Sequence, residues 1–123
     1  MKVLLSIKPE YANKIFSGEK KFEYRKLIFK QEIKFIVVYA TKPVGMIIGE
    51  FEIDKIISDT PKQIWNLTKE HAGIEEDKFK NYFSNKETGF AIKVKKAKLY
   101  KHSKTLKEYN PKIKVPPQSF CYI

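Results

Sequence analysis

The chain has 123 residues, a formal net charge of +11 and a hydrophobic content of 42%. These values exclude a disordered chain and predict one domain over residues 1–123 that buries its core without disulfides. The single cysteine, Cys121, fits a reducing, cytoplasmic location, and no apolar run approaches the ~20 residues of a transmembrane helix.

The positive charge is spread along the whole chain and is not gathered in one block. Lys and Arg number 25 against 14 Asp and Glu residues. A basic chain attracts polyanions because it neutralises their phosphates, although lysine enrichment also arises from biased composition. The charge is therefore compatible with RNA or another anionic ligand but does not identify one.

Hydrophobic periodicity and capping residues divide the chain into strands and helices. In chain order we predict a strand at 2–7, a helix at 9–18, strands at 20–26, 34–41 and 46–58, helices at 60–73 and 74–83, a strand at 89–101, a helical turn at 105–109 and a last strand at 115–123. Gly18 and Gly73 suit helix ends, and Gly49 predicts a bulge within a long strand.

Most of these strands follow one another without a crossover helix, which predicts a mixed or antiparallel sheet. Long strands with an internal glycine are typical of a small, partly open barrel. We therefore predict an α+β fold in which helices pack over the ends of a β-barrel.

The segment SGEKKFEYRK at 17–26 contains Arg25, the only arginine in the chain. Lys21, Glu23 and Arg25 occupy every second position and therefore share one strand face. Such a charged pattern most often indicates a solvated surface. Arginine, however, is preferred where a planar, always-charged donor meets a carboxylate, a phosphate or a base edge. Because Lys20 lies at the mouth of the same strand, the segment predicts a ligand site.

Two further segments carry polar and aromatic groups where a strand ends or begins. They hold Tyr39, Thr41 and Lys42 in YATKP, and Gln118, Ser119 and Phe120 in VPPQSF. Glutamine can contact base edges and phenylalanine can stack on a base. The ordinary alternatives are turn chemistry in the first segment and a rigid tail over the core in the second.

The sequence predicts no metal site and no cofactor. His71, His102 and Cys121 lack the spacing of a ligand set. The phosphate-binding loop, the dinucleotide fingerprint and the nucleophile elbow are absent as well.

The blocks LLSIKPEYANKIFSGEKKFEYRK, YATKPVGMIIGEFEI, HAGIEEDKFKNYF and PPQSFCYI together resemble the ASCH domain family of the PUA-like superfamily. The resemblance implies a PUA-like mixed β-barrel of five to six strands with helices packed around it. It also implies a basic cleft that binds RNA or a nucleotide-like ligand, in RNA metabolism or translation-linked regulation. Lys8, Lys20, Glu23 and Arg25 fall at the implied cleft positions, with parts of YATKP and PPQSF.

The same resemblance raises a second hypothesis, because some small ASCH proteins are amidohydrolases that deacetylate N4-acetylcytidine. Their motif has a lysine after the turn glycine, a threonine three residues later and a glutamate in a helical insertion. Lys20 and Glu75 match the lysine and the glutamate, whereas Glu23 replaces the threonine and removes its hydroxyl. A hydrolase would then use Lys20, Glu23 and Glu75, with a metal-assisted ribonuclease as a variant.

A third hypothesis is a protein-interaction or regulatory domain without its own ligand. It predicts that the chain itself covers the face of Arg25.

Overall fold

A computed structural model describes all 123 residues of the chain. It contains one six-stranded sheet and four helices. The strands are β1 (Lys2–Ile7), β2 (Phe22–Arg25), β3 (Phe35–Ala40), β4 (Met46–Asp59), β5 (Gly89–Lys104) and β6 (Phe120–Tyr122). The helices are α1 (Pro9–Ser17), α2 (Pro61–Thr68), α3 (Glu76–Tyr82) and α4 (Leu106–Tyr109), and a 3-10 turn (Lys69–His71) follows α2.

The strands form one mixed sheet in the order β2-β5-β4-β3-β1-β6. Only β1 and β3 run parallel, and the other neighbours are antiparallel. The sheet curls into a half-barrel, so its edge strands β2 and β6 face each other across an open seam. The predicted α+β class and curled mixed sheet are confirmed.

Local signals placed the element boundaries well at most positions. Thr60 caps α2 by accepting a hydrogen bond from the Gln63 backbone N–H at 3.3 Å, and Gly18 ends α1 in a left-handed conformation with φ 89°. The predicted helix at 60–73 is α-helical only to Thr68 and continues as the 3-10 turn to His71, where the carbonyl oxygen accepts a hydrogen bond from the Lys21 backbone N–H. The last strand is shorter than predicted because the two prolines before it lack the N–H groups of a ladder.

Gly49 lies at the predicted bulge. The register of β4 shifts next to Gly49 in its pairing with β3 and in its pairing with β5. A Cβ added there would lie 2.5 Å from the Lys98 carbonyl oxygen and 2.7 Å from the Phe16 ring. Glycine is therefore required by close packing as well as by the bend.

Three hydrophobic clusters hold the sheet and the helices together. The largest packs α1 against the sheet and includes Leu5, Ile15 and Phe51. The second lies beneath α2 and α3 and includes Tyr24, Ile64 and Phe79. Since Tyr24 belongs to this cluster and its neighbours Glu23 and Arg25 point the other way, the second core supports β2 from behind. None of the helices has the length and apolar composition needed to span a bilayer.

Candidate functional site

A surface cleft of about 900 Å³ lies at the seam of the half-barrel. Its walls come from the end of β1, the first turn of α1, β2, α3 and the segment that precedes β6. Six of the predicted site residues line it together: Lys8, Lys20, Glu23, Arg25, Gln118 and Ser119. Residues separated by more than 90 positions in the sequence are thus gathered into one site.

Arg25 joins the two sides of the seam. From the edge strand β2, its Nη1 donates to Glu23 Oε2 at 3.2 Å and to the Ser6 carbonyl oxygen on β1 at 3.3 Å. Its Nη2 donates to the Ser119 carbonyl oxygen at 3.1 Å and to the Ser119 hydroxyl at 3.4 Å. A lysine offers one point charge and cannot supply this fork, which explains the single arginine of the chain.

Glu23 is buried, with 6% of its surface exposed, so the solvated-face interpretation of β2 is wrong for this residue. Its Oε2 accepts the hydrogen bond from Arg25, while its Oε1 has no partner within the protein. Every fully buried side-chain oxygen in the structure has a hydrogen-bond partner. Because Oε1 has none, it is not fully buried and is open to the cleft. Glu23 therefore holds Arg25 with one oxygen and leaves the other open to the cleft.

Lys20 is almost fully buried, with 2% of its surface exposed, and forms no ion pair. Its Nζ donates to the Ala72 carbonyl oxygen at 2.7 Å and lies 4.5 Å from the ring centroid of Tyr24. Burial lowers the pKa of Lys20 to about 8, while the Glu23 charge opposes this shift and Lys14 adds to it. An appreciable fraction of the amine is therefore neutral in mildly alkaline solution.

The aromatic partner of Lys20 is held in place from behind. The Thr68 hydroxyl donates to the Ile64 carbonyl oxygen at 2.7 Å, so the Tyr24 hydroxyl donates to Thr68 Oγ1, also at 2.7 Å. Burial raises the pKa of Tyr24 to about 12, which keeps this hydroxyl protonated as a donor.

Gly73 forms the floor on which the aliphatic part of Lys20 lies. Its φ of +65° belongs to the left-handed region, and an added Cβ would overlap the Cβ and Cγ atoms of Lys20. The sequence suggested Gly73 only as a helix end, and the structure adds the contact with Lys20 as a second reason for glycine.

The other predicted site residues do not line this cleft. Tyr39 is buried in the third hydrophobic cluster, and Phe120 packs edge-to-face on Phe29 at 5.8 Å. Thr41 and Lys42 lie in the turn between β3 and β4. Glu75 is the exposed residue just before α3. The rigid-tail interpretation thus describes Phe120 correctly.

Several cleft residues were not identified from the sequence. They are Tyr11 on α1, Lys26 after β2, and Lys78, Asn81 and Tyr82 on α3. The three on α3 have the i, i+3, i+4 spacing of one helix face, which is a signal that the sequence contained. Five cationic side chains and one carboxylate consequently line the cleft.

No group of three or more His, Cys, Asp and Glu side chains comes together in the structure as a metal-binding set would.

Comparison with known proteins identifies the family. The family model for the ASCH domain matches residues 5–98, which is most of the chain. The chain belongs to the ASCH domain family. The matched region contains β2 and the Lys20 environment, whereas the segment before β6 lies outside it.

A solved ASCH structure from Zymomonas mobilis superposes with a TM-score of 0.90 at 27% identity, covering 99% of this chain and 87% of that chain. The curated ASCH domain-containing ribonuclease of the same organism is 28% identical over 123 residues, covering 98% of this chain and 82% of the relative. Large ribosomal subunit protein uL22 of Ureaplasma parvum serovar 3 is 26% identical over 122 residues, and the chain spans 39% of its length. The predicted ASCH, PUA-like fold is thereby confirmed.

Proposed function

We propose that the protein binds single-stranded RNA in the cleft at the half-barrel seam. The observation that carries the proposal is the convergence of five cationic side chains, the half-buried rings of Tyr11 and Tyr82 and one open carboxylate oxygen in a single cavity. Phosphates bind cations, and unpaired bases stack on aromatic rings and bond to polar groups through their edges. The similarity to an ASCH domain-containing ribonuclease supports RNA as the ligand.

Within the cleft the exposed lysines are suited to the phosphates. Lys8, Lys26 and Lys78 are exposed, and none of them forms an ion pair within the protein. Arg25 differs, because both of its terminal nitrogens are already bonded to protein acceptors and 12% of its side chain is exposed. We therefore give Arg25 the role of holding the cleft together and leave phosphate binding to the lysines.

Base recognition falls to a different set of residues from the one predicted. Tyr39 and Phe120 do not line the cleft, whereas Tyr82 does, with Lys26 Nζ 4.6 Å from its ring centroid. We assign base stacking to Tyr82, with Lys26 moving from its ring to a phosphate, and base-edge contacts to Glu23 Oε1 and Gln118, because all of these residues line the cleft. The protein-interaction hypothesis expected a covered Arg25, and Arg25 is covered, but the cleft beside it stays open.

Removing the three phosphate contacts tests this proposal. We expect the triple variant Lys8→Gln, Lys26→Gln, Lys78→Gln to bind an RNA of about five nucleotides at least ~10-fold more weakly at low salt. The slope of log affinity against log salt should fall by about 2, since each phosphate contact on a single strand contributes about 0.7. Fluorescence anisotropy over a salt series measures both quantities.

The matched control carries the same loss of charge outside the cleft. Lys55, Lys69 and Lys86 are exposed, form no ion pair and do not line the cavity. The proposal fails if this control weakens RNA binding as much as the cleft variant, or if the wild type shows no salt-sensitive binding.

A hydrolase acting in the same cleft is the second candidate, favoured because the buried Lys20 amine and the open oxygen of Glu23 line the same cavity. A neutral amine or a carboxylate can take a proton from an attacking hydroxyl or water. RNA is favoured over an acylated nucleoside as the substrate because Glu75 lies outside the cleft lining and the Zymomonas relative is a ribonuclease.

We expect cleavage of a labelled RNA to increase as the pH rises through about 8 and Lys20 loses its proton. Lys20→Met should abolish the product while Lys21→Met, at the exposed neighbouring position, should leave it unchanged. A parallel assay follows the release of cytidine from N4-acetylcytidine by chromatography. It shows which of the two substrates the protein cleaves. Equal turnover by wild type and Lys20→Met would rule out a hydrolytic role for this amine.

A further inference from the structure

The second half of β5 forms a strongly basic surface outside the cleft. Residues 95–114 contain eight lysines and one acidic residue, Glu108. Four of these lysines form a row along the strand, all exposed: Lys96, Lys98, Lys101 and Lys104. We call this set the β5 lysine row.

The neighbouring acidic residues do not neutralise the row. Glu52 and Glu50 lie opposite Lys96 and Lys98 in the pairing of β4 with β5. Glu52, however, is bonded to Lys95 at 3.3 Å, and Glu50 is bonded to Lys2 at 3.2 Å and to the Tyr100 hydroxyl at 2.6 Å. The lysines of the row have no ion pair in the structure.

The pairing of β5 with β4 is irregular within the row. Leu99 pairs with Gly49 and Lys104 pairs with Ile47, so four residues of β5 stand opposite one residue of β4. The inserted residues, Lys101 among them, therefore have no regular ladder partners on β4, and Lys101 is exposed. Lys96 and Lys98 are two residues apart and present their charges on one strand face, about 7 Å apart.

The same strand carries both surfaces, on opposite faces of the sheet. Lys96 and Lys98 pair with Glu52 and Glu50, which flank the core residue Phe51, so an RNA that touches both surfaces passes around the edge strand β2. Ile92 and Phe90 of β5 pair with Glu23 and Arg25 of β2, and the row begins four residues after Ile92. We infer that the β5 lysine row is a second contact surface for RNA, which binds the phosphates of a strand that continues beyond the cleft. The inference rests on RNA being the ligand of this protein, as proposed above.

The length of the RNA separates the binding contributions of the two surfaces. An RNA of about five nucleotides can occupy the cleft alone, whereas one of about 20 nucleotides can reach both surfaces. We expect the variant Lys96→Gln, Lys98→Gln, Lys101→Gln, Lys104→Gln to bind the long RNA about 10-fold more weakly at low salt. The slope of log affinity against log salt for the long RNA should fall by about 3. The affinity and the slope for the short RNA should both match those of the wild type.

The control replaces the exposed lysines Lys30, Lys55, Lys69 and Lys86 with glutamine, which removes the same charge elsewhere. The inference is overturned if the control weakens long-RNA binding equally, or if the row variant binds long RNA as the wild type does. It is also overturned if the row variant loses short-RNA binding to the same extent, because bulk charge would then explain the effect. If the wild type binds only long RNA and the row variant does not bind it, the result supports the β5 lysine row as an RNA surface and contradicts the proposal that the cleft binds RNA.

Discussion

Replacement of Arg25 by alanine is expected to lower the free energy of unfolding by about 3–5 kcal/mol. The change removes the bonds between β2, Ser6 and Ser119 that close the seam. It also leaves the buried carboxylate of Glu23 without its cation, and an unpaired buried charge is among the most destabilising defects in a protein. Urea denaturation followed by circular dichroism measures the change.

Two further variants separate the charge of Arg25 from its geometry. Arg25→Lys keeps a cation but cannot bridge Glu23, Ser6 and Ser119 together, so we expect a loss intermediate between wild type and Arg25→Ala. Adding Glu23→Gln to Arg25→Ala removes the unpaired charge and should restore about 1–3 kcal/mol. An Arg25→Ala protein within about 0.5 kcal/mol of the wild type would show that the seam does not depend on this residue.

Replacement of Gly73 by alanine is the second large effect we expect, at about 2–4 kcal/mol of lost stability. Part of the cost is the positive φ, and the rest is the overlap of the new Cβ with the side chain of Lys20. Since Lys20 has the Ala72 carbonyl oxygen and the Tyr24 ring on its other sides, it has little room to move. We also expect the variant to bind short RNA more weakly, because Lys20 lines the cleft.

Gly18 provides a control that isolates the backbone contribution. Its φ is +89°, but no atom lies within 4 Å of the position of an added Cβ. Gly18→Ala should therefore cost only the backbone strain, about 1–2 kcal/mol, and leave RNA binding unchanged. Equal losses of stability in the two variants would contradict the packing role assigned to Gly73.

Local sequence signals predicted the fold because each acts over a few residues. Pro9, Thr60 and Gly18 mark helix ends through effects on their own backbone, and Gly49 marks a bend in the same way. The end of the helix at 60–73 was missed because the chain is diverted there by a tertiary contact, the hydrogen bond from the Lys21 backbone N–H to the His71 carbonyl oxygen.

The site was predicted only where residues adjacent in sequence are also adjacent in space. Glu23 and Arg25 belong to β2 and Lys20 lies two residues before it, so their shared location follows from the geometry of one short segment. Tyr82 and Lys78 reach the cleft because the second core packs α3 beside β2, which no local pattern reveals. Phe120 was misplaced for the same reason, since its contact with Phe29 joins segments about 90 residues apart.

The role of Arg25 shows the limit of composition as a signal. Its singular occurrence indicated a special contact, and the structure contains one, but the partners are acceptors of the protein itself. The free cations that remain for a ligand are ordinary lysines, which nothing in the composition distinguishes from the others.

Nuclear magnetic resonance can map the surface of the protein that RNA contacts. An RNA of about five nucleotides is titrated into isotope-labelled protein, and the backbone amide shifts are followed residue by residue. We expect the perturbed amides to cluster on β2, the first turn of α1, α3 and Gln118–Ser119. Perturbations confined to surfaces outside this cleft, or no perturbation at saturating RNA, would contradict the proposal that the seam cleft is the RNA site.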